Sequence, residues 1–80
     1  MPRTTKNTRA TQYGIKANAL ARDAVAKLER MRAKLIKLQE PWAEADPMIE
    51  TATDQATAAV DDLIKQYKDS AEYLNEPMDA

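Results

Sequence analysis

Apolar residues recur along two stretches of the chain with the period of an α-helix. Between Thr11 and Glu40, the positions Gly14, Ala17, Ala21, Ala24, Leu28, Met31, Leu35 and Leu38 alternate in steps of three and four. That spacing keeps them on one stripe of a helix. Leu20, Val25 and Ile36 broaden the stripe, Trp42 would continue it, and Arg32 and Gln39 fall within the broadened arc, where they argue against a fully dry core. Strong helix formers fill the remaining positions, and Thr8 or Thr11 can cap the start. A second stripe, Ile49, Ala52, Ala56, Val60, Leu63, Tyr67 and Leu74, has Ala59, Ile64 and Ala71 beside it. Asp46-Pro47 supplies a cap acceptor and a proline at the first helical position, and Glu50 suits the positive end of the helix dipole. Asn75 and Pro77 mark the stop. The pattern predicts helices over 11–40 and 47–74, joined by a turn at 41–46, with a flexible basic arm at 1–10 and a short acidic tail at 76–80.

Between the helices stands QEPWAEADPM, residues Gln39–Met48, with two prolines around the sole Trp. Pro41 disfavours α geometry at Glu40, which favours a turn there. Side-chain size also points to a chain that folds back. Folding at Ala43/Glu44 sets Leu38 against Ile49, Leu35 against Ala52, Met31 against Ala56 and Leu28 against Ala59. Beyond the midpoint the sizes exchange, with Ala24 facing Leu63, Ala21 facing Tyr67, and Ala17 facing Ser70 and Ala71. Large opposing small is how packed layers fill space. The expected fold class is all-α: an antiparallel two-helix hairpin that completes a four-helix bundle or larger helical assembly. The reason for expecting assembly is size. A hairpin of this length without disulfides or metals gains little net stability from burial. An apolar edge of Leu20, Val25, Ile36, Ile64 and Tyr73, with Trp42 at the bend, would stay wet on a single copy. These six residues are the candidate partner-binding set, for a homo-oligomer or a larger protein assembly.

Charge sharpens this picture. Net charge is −1, yet residues 1–40 hold ten Lys/Arg against three Asp/Glu (+7), while residues 41–80 hold two Lys against ten Asp/Glu (−8). An antiparallel pair brings opposite halves together, with Lys16 and Lys27 on the flank of Asp62 and Asp69. Exposed pairs contribute only about 0–1 kcal/mol each, so charge favours the pairing without driving it. The outer cations Lys16, Arg22, Arg30, Lys34 and Lys37, joined by Arg3, Lys6 and Arg9 of the arm, form a candidate surface for nucleic acid or an acidic partner. No aromatic is interleaved for base stacking from Arg22 to Lys37.

The chain has no Cys and no His, and its one Gly is Gly14. That removes thiolate nucleophiles, Cys/His zinc sites, the commonest general base and phosphate-cradling glycine loops. Asp61 and Asp62 are adjacent, so they diverge by about 100° on a helix and cannot share a proton or metal. The expectation is a protein that is not an enzyme, with no catalytic residues, no cofactor, no metal and no small-molecule substrate. No apolar run approaches the ~20 residues of a membrane span, and no apolar stretch follows the basic N-terminal residues. The expected location is therefore cytoplasmic or in a virion.

Trp42-Ala43-Glu44 at the bend resembles the motif of the small secreted WXG hairpin proteins, with Glu where that family keeps Gly. Pro77 stands four places after Tyr73, where their secretion signal wants an acid. The expected architecture is similar to that of the plasmid Rop-type RNA-binding hairpin dimers, at the level of fold. The basic, Thr-rich arm resembles those of small bacteriophage proteins. Together these lead to the expectation of a non-catalytic structural, assembly or adaptor protein, of a bacteriophage virion or other multi-subunit complex. The alternatives are a Rop-like nucleic-acid-binding accessory and a phage or mobile-element inhibitor of a host protein.

Overall fold

The computed structural model describes residues 8–78. Among these the chain is all-helical, with three helices and no strand: α1 (Arg9–Tyr13), α2 (Ala17–Ala43) and α3 (Pro47–Leu74). The long helices α2 and α3 pack against each other, and α1 packs on α3. The Asn75 side chain donates to Asn18 Oδ1 at 2.9 Å, so the end of α3 lies beside the start of α2. Nearer the middle, Arg32 Nε donates to Asp61 Oδ1 at 2.9 Å.

Local chemistry sets the helix ends. Thr8 caps α1, its hydroxyl oxygen accepting from the Thr11 amide at 3.1 Å. Gly14 ends α1 in the left-handed region, φ 69°, which lets the Ile15 amide reach the Ala10 carbonyl and the Gly14 amide reach the Thr11 carbonyl, each at 3.0 Å. This pair of bonds satisfies carbonyls that a helix end otherwise leaves open. The continuous helix expected from Thr11 is thus divided: Gly14 leaves the helical stripe and becomes its break. Thr8 to Ala10, expected within the basic arm, are ordered, and Ala10 is buried. The rest of that arm, and Asp79 and Ala80 of the acidic tail, lie outside the described residues.

The turn also begins later than the sequence suggests. α2 runs through Pro41 to Ala43. Pro41, two residues before the last helical residue, gives up the backbone bond to the Lys37 carbonyl and crowds that carbonyl, and the helix ends soon after it. The Asp46 amide donates to the Trp42 carbonyl at 2.8 Å and closes the bend. Asp46 then caps α3 as expected, its carboxylate accepting from the Met48 amide at 3.1 Å with Pro47 next in line.

The buried set is small. Ala10, Ala17 and Ala71 form one cluster, with Ile15, Ala21 and Leu74 partly buried against it. Leu28 is the large side chain of the core, 9% exposed. Ala17 and Ala71, which the size argument places face to face, are buried together. Farther along, the packed stripe departs from the strict heptad. Arg32, Leu35 and Gln39 are half-buried, while Met31 (50%) and Leu38 (69%) are exposed. On α3, Ile49, Thr53, Ala56, Thr57, Val60 and Ile64 are buried or half-buried, whereas Leu63 and Tyr67 are exposed. Leu38 shares a groove with Ile49 and Ala21 with Tyr67, as the size argument pairs them, but Met31, Leu38, Leu63 and Tyr67 stand at the edge of the contact rather than inside it, which corrects their expected burial. On α2 the cause is the mismatch between 3.6 and 3.5 residues per turn. A straight helix drifts ~20° per heptad, so a 3–4–3–4 stripe rotates away from a neighbour that does not supercoil with it. Thr53 and Thr57 enter the contact because their hydroxyls donate to the carbonyls of Ile49 (2.8 Å) and Asp54 (3.1 Å), which removes the cost of burying them.

Candidate interaction surface

The drift leaves one side of the α2–α3 pair apolar and uncovered. On α2 it carries Leu20, Met31, Leu38 and Trp42, spaced 11, 7 and 4 residues apart, that is three, two and one turns. On α3 it carries Ala52, Ala59 and Leu63, spaced 7 and 4, with Tyr67 one turn further on. Two shallow grooves mark it. One, of about 250 Å³, lies between Leu20 and Ala21 on α2 and Leu63, Tyr67 and Leu74 on α3. The other, of about 430 Å³, lies near the bend among Leu35, Leu38 and Trp42 on α2 and Ile49 and Ala52 on α3. The other side mixes small apolar residues with charged ones: Ala21, Val25, Ala26 and Ala71 lie at the floor of its groove. Its groove of about 490 Å³ is edged by Asn18, Arg22, Glu29 and Lys68.

The six residues of the candidate apolar edge divide between surroundings. Leu20, Ile36, Trp42 and Tyr73 are exposed, while Val25 and Ile64 are half-buried. Leu20 and Trp42 lie on the uncovered apolar side. Tyr73 belongs to a different arrangement, with the Arg9 guanidinium 4.1 Å from its ring centroid. Arg9 also donates to the Tyr73 carbonyl at 3.2 Å and lies 3.7 Å from the Glu76 carboxylate. Thr8 and Pro77 form an isolated antiparallel bridge next to it. These contacts clasp α1 to the end of α3. Met31 and Leu38 were missed as surface residues because an exact heptad on α2 sends them inward, whereas Leu63 and Tyr67 keep the helical period of α3 and are large side chains that the contact covers only in part. Helical drift was the signal that could have found the first two.

The candidate cationic surface is also divided. Arg3 and Lys6 lie outside the described residues. Arg9 is half-buried in the clasp, and Lys16 precedes α2. Arg22, Arg30, Lys34 and Lys37 are exposed along α2. Lys27 pairs with Asp23 at 2.9 Å within its own helix rather than with Asp62. Asp69 likewise pairs with Lys65 at 2.6 Å, and that hydrogen bond and charge raise the Lys65 pKa above its ordinary value. The ion pair between the long helices is Arg32–Asp61.

Gln39 Oε1 is buried with no hydrogen-bond partner among the described residues. Among the same residues, no group of three or more acidic, His or Cys side chains is placed to hold a metal, and no helix is long and apolar enough to cross a membrane. Comparison of the chain with protein-family models, with curated proteins and with solved structures gives no match.

Proposed function

We propose that the protein is a non-catalytic packing element: α2 and α3 form an antiparallel hairpin that works by joining other protein surface in a multi-subunit assembly. The observation that carries this reading is the uncovered apolar side, where Met31, Leu38 and Trp42 are each at least half exposed. Contiguous apolar surface of this kind, with charge beside it, marks interaction sites. The Asn18–Asn75 and Arg32–Asp61 contacts support the hairpin. A phage particle is one such assembly, favoured by the basic composition of the N-terminal residues. The nucleic-acid alternative draws no added support from Arg9, because that cation is engaged with Tyr73 and Glu76.

The test is Leu38→Glu, which places a charge on an exposed position and spares the α2–α3 contact. Its circular dichroism should match that of the parent, while incorporation into the native assembly is lost. Unimpaired incorporation with an intact helical spectrum would remove the packing reading. Binding of labelled duplex or RNA at low salt, abolished by Arg22→Ala with Lys34→Ala, would replace it with the accessory reading.

A further inference from the structure

We infer that the occupant of the apolar side is a second copy of this chain, related by a two-fold axis parallel to the helices, so that α2 of each copy lies against α3 of the other. The inference rests on the packing reading and names its partner. Three observations carry it.

The first is the exposure of the face itself. Leu38 (69%), Trp42 (58%), Leu20 (55%) and Met31 (50%) on α2, with Leu63 (45%) and Tyr67 (42%) on α3, leave apolar area for a partner to cover.

The second is charge. α2 carries six Lys/Arg against three Asp/Glu (+3), and α3 carries two Lys against six Asp/Glu (−4). An axis parallel to the helices gives every basic helix two acidic neighbours. An axis across the helices sets α2 against α2 and α3 against α3, placing like charge beside like.

The third is side-chain size. An axis along the helices preserves height. Leu38 and Ala52 line one groove and so sit at one height, which brings Leu38 to Ala52 of the partner subunit. Met31 and Ala59 lie one heptad further from the bend on their helices and come together in the same way. On the half of this face nearer the bend the bulky residues lie on α2 and the alanines on α3, so a copy turned about this axis offers small side chains there where the other offers large ones; toward the other pole, Leu20 shares its groove with Leu63 and Tyr67. The axis across the helices would bring Leu and Met against their own kind and alanines against alanines. Close packing disfavours that layering.

The test uses the absence of cysteine from the chain. Sedimentation of the unmodified protein from micromolar to near-millimolar concentration should show a monomer–dimer equilibrium. Leu38→Cys and Ala52→Cys are then made as separate single variants, both at exposed positions. After mixing and mild oxidation, the mixed disulfide-linked dimer should accumulate, from the half of dimers that are mixed at the outset toward completion as the rest dissociate and re-pair. Neither variant should link to itself. Met31→Cys, also exposed, should stay unlinked, whereas self-linking would indicate the axis across the helices and overturn the arrangement. A strict monomer over the whole range overturns the second copy as occupant. If that monomer still requires Leu38 for its native assembly, the packing reading survives without it. If it does not, both readings go.

Discussion

Leu28 and Leu38 offer a controlled comparison, because they are the same residue on one helix, 9% and 69% exposed. Fully burying a leucine side chain is worth about 1.5–3 kcal/mol. Leu28 realises nine-tenths of that, and the cavity left by Leu28→Ala brings the expected loss to about 3 kcal/mol. Leu38 realises three-tenths, so Leu38→Ala should cost a dilute, monomeric chain about 0.5–1 kcal/mol. At ~0.05–0.15 kcal/mol per residue, an 80-residue chain holds roughly 4–12 kcal/mol in all. The first variant therefore removes a large part of the total and the second very little. The assay is urea unfolding followed by circular dichroism at low and high protein concentration. Leu28→Ala should lower the midpoint similarly at both. Leu38→Ala should barely move it when dilute, but should lower it at high concentration, where the proposed dimer would recover the remaining burial. Equal losses for the two variants in dilute solution would refute the assignment of Leu28 to the inside and Leu38 to the outside.

Three further outcomes follow from named contacts. Arg9→Ala removes a cation over a ring and a hydrogen bond to the Tyr73 carbonyl, and should cost about 1–2 kcal/mol, with hydrogen exchange rising first at Gln12 and Ile15, whose amides are bonded within this segment. Gly14→Ala meets no atom within 4 Å but retains the left-handed backbone, so the loss should be about 1 kcal/mol in thermal unfolding and should arise from the backbone alone. Gln39→Leu replaces a buried acceptor that has no partner and should raise stability by about 1 kcal/mol by the same measurement, whereas a decrease would mean that the amide is satisfied in solution.

The two long helices were legible because each has a period and a boundary written in ordinary residue chemistry. Asp46-Pro47 and Asn75 bound α3 where the sequence places its ends. Pro41 misled for the opposite reason: the conformational bias on the preceding residue is a local preference, and near a helix end only one lost bond and one crowded carbonyl stand against continuing. Gly14 was absorbed into a stripe that it ends, since spacing registers the absence of a side chain as compatible with a helix and is blind to φ. The rotation of the contact was the hardest to read. Met31 and Leu38 look like core in any window of one or two heptads, and only accumulated drift moves them out; Leu63 and Tyr67 hold the helical period and are exposed because the contact does not cover the whole of a large side chain. Thr53 and Thr57 read as polar until their hydroxyls find carbonyls one turn back. The Arg9–Tyr73 clasp joins positions 64 residues apart, and no periodicity encodes it.

The bridge between Thr8 and Pro77 gathers both ends of the described chain at one pole of the molecule. The opposite pole, with Trp42 and the loop before Asp46, lies about 40 Å away at ~1.5 Å per residue of α2. A fluorescent protein or surface tether joined directly before Thr8 or after Met78 would therefore start from the same pole. Anything grafted between Glu44 and Asp46 would project from the other, so the rod can be labelled, immobilised or extended at one tip while the other stays free.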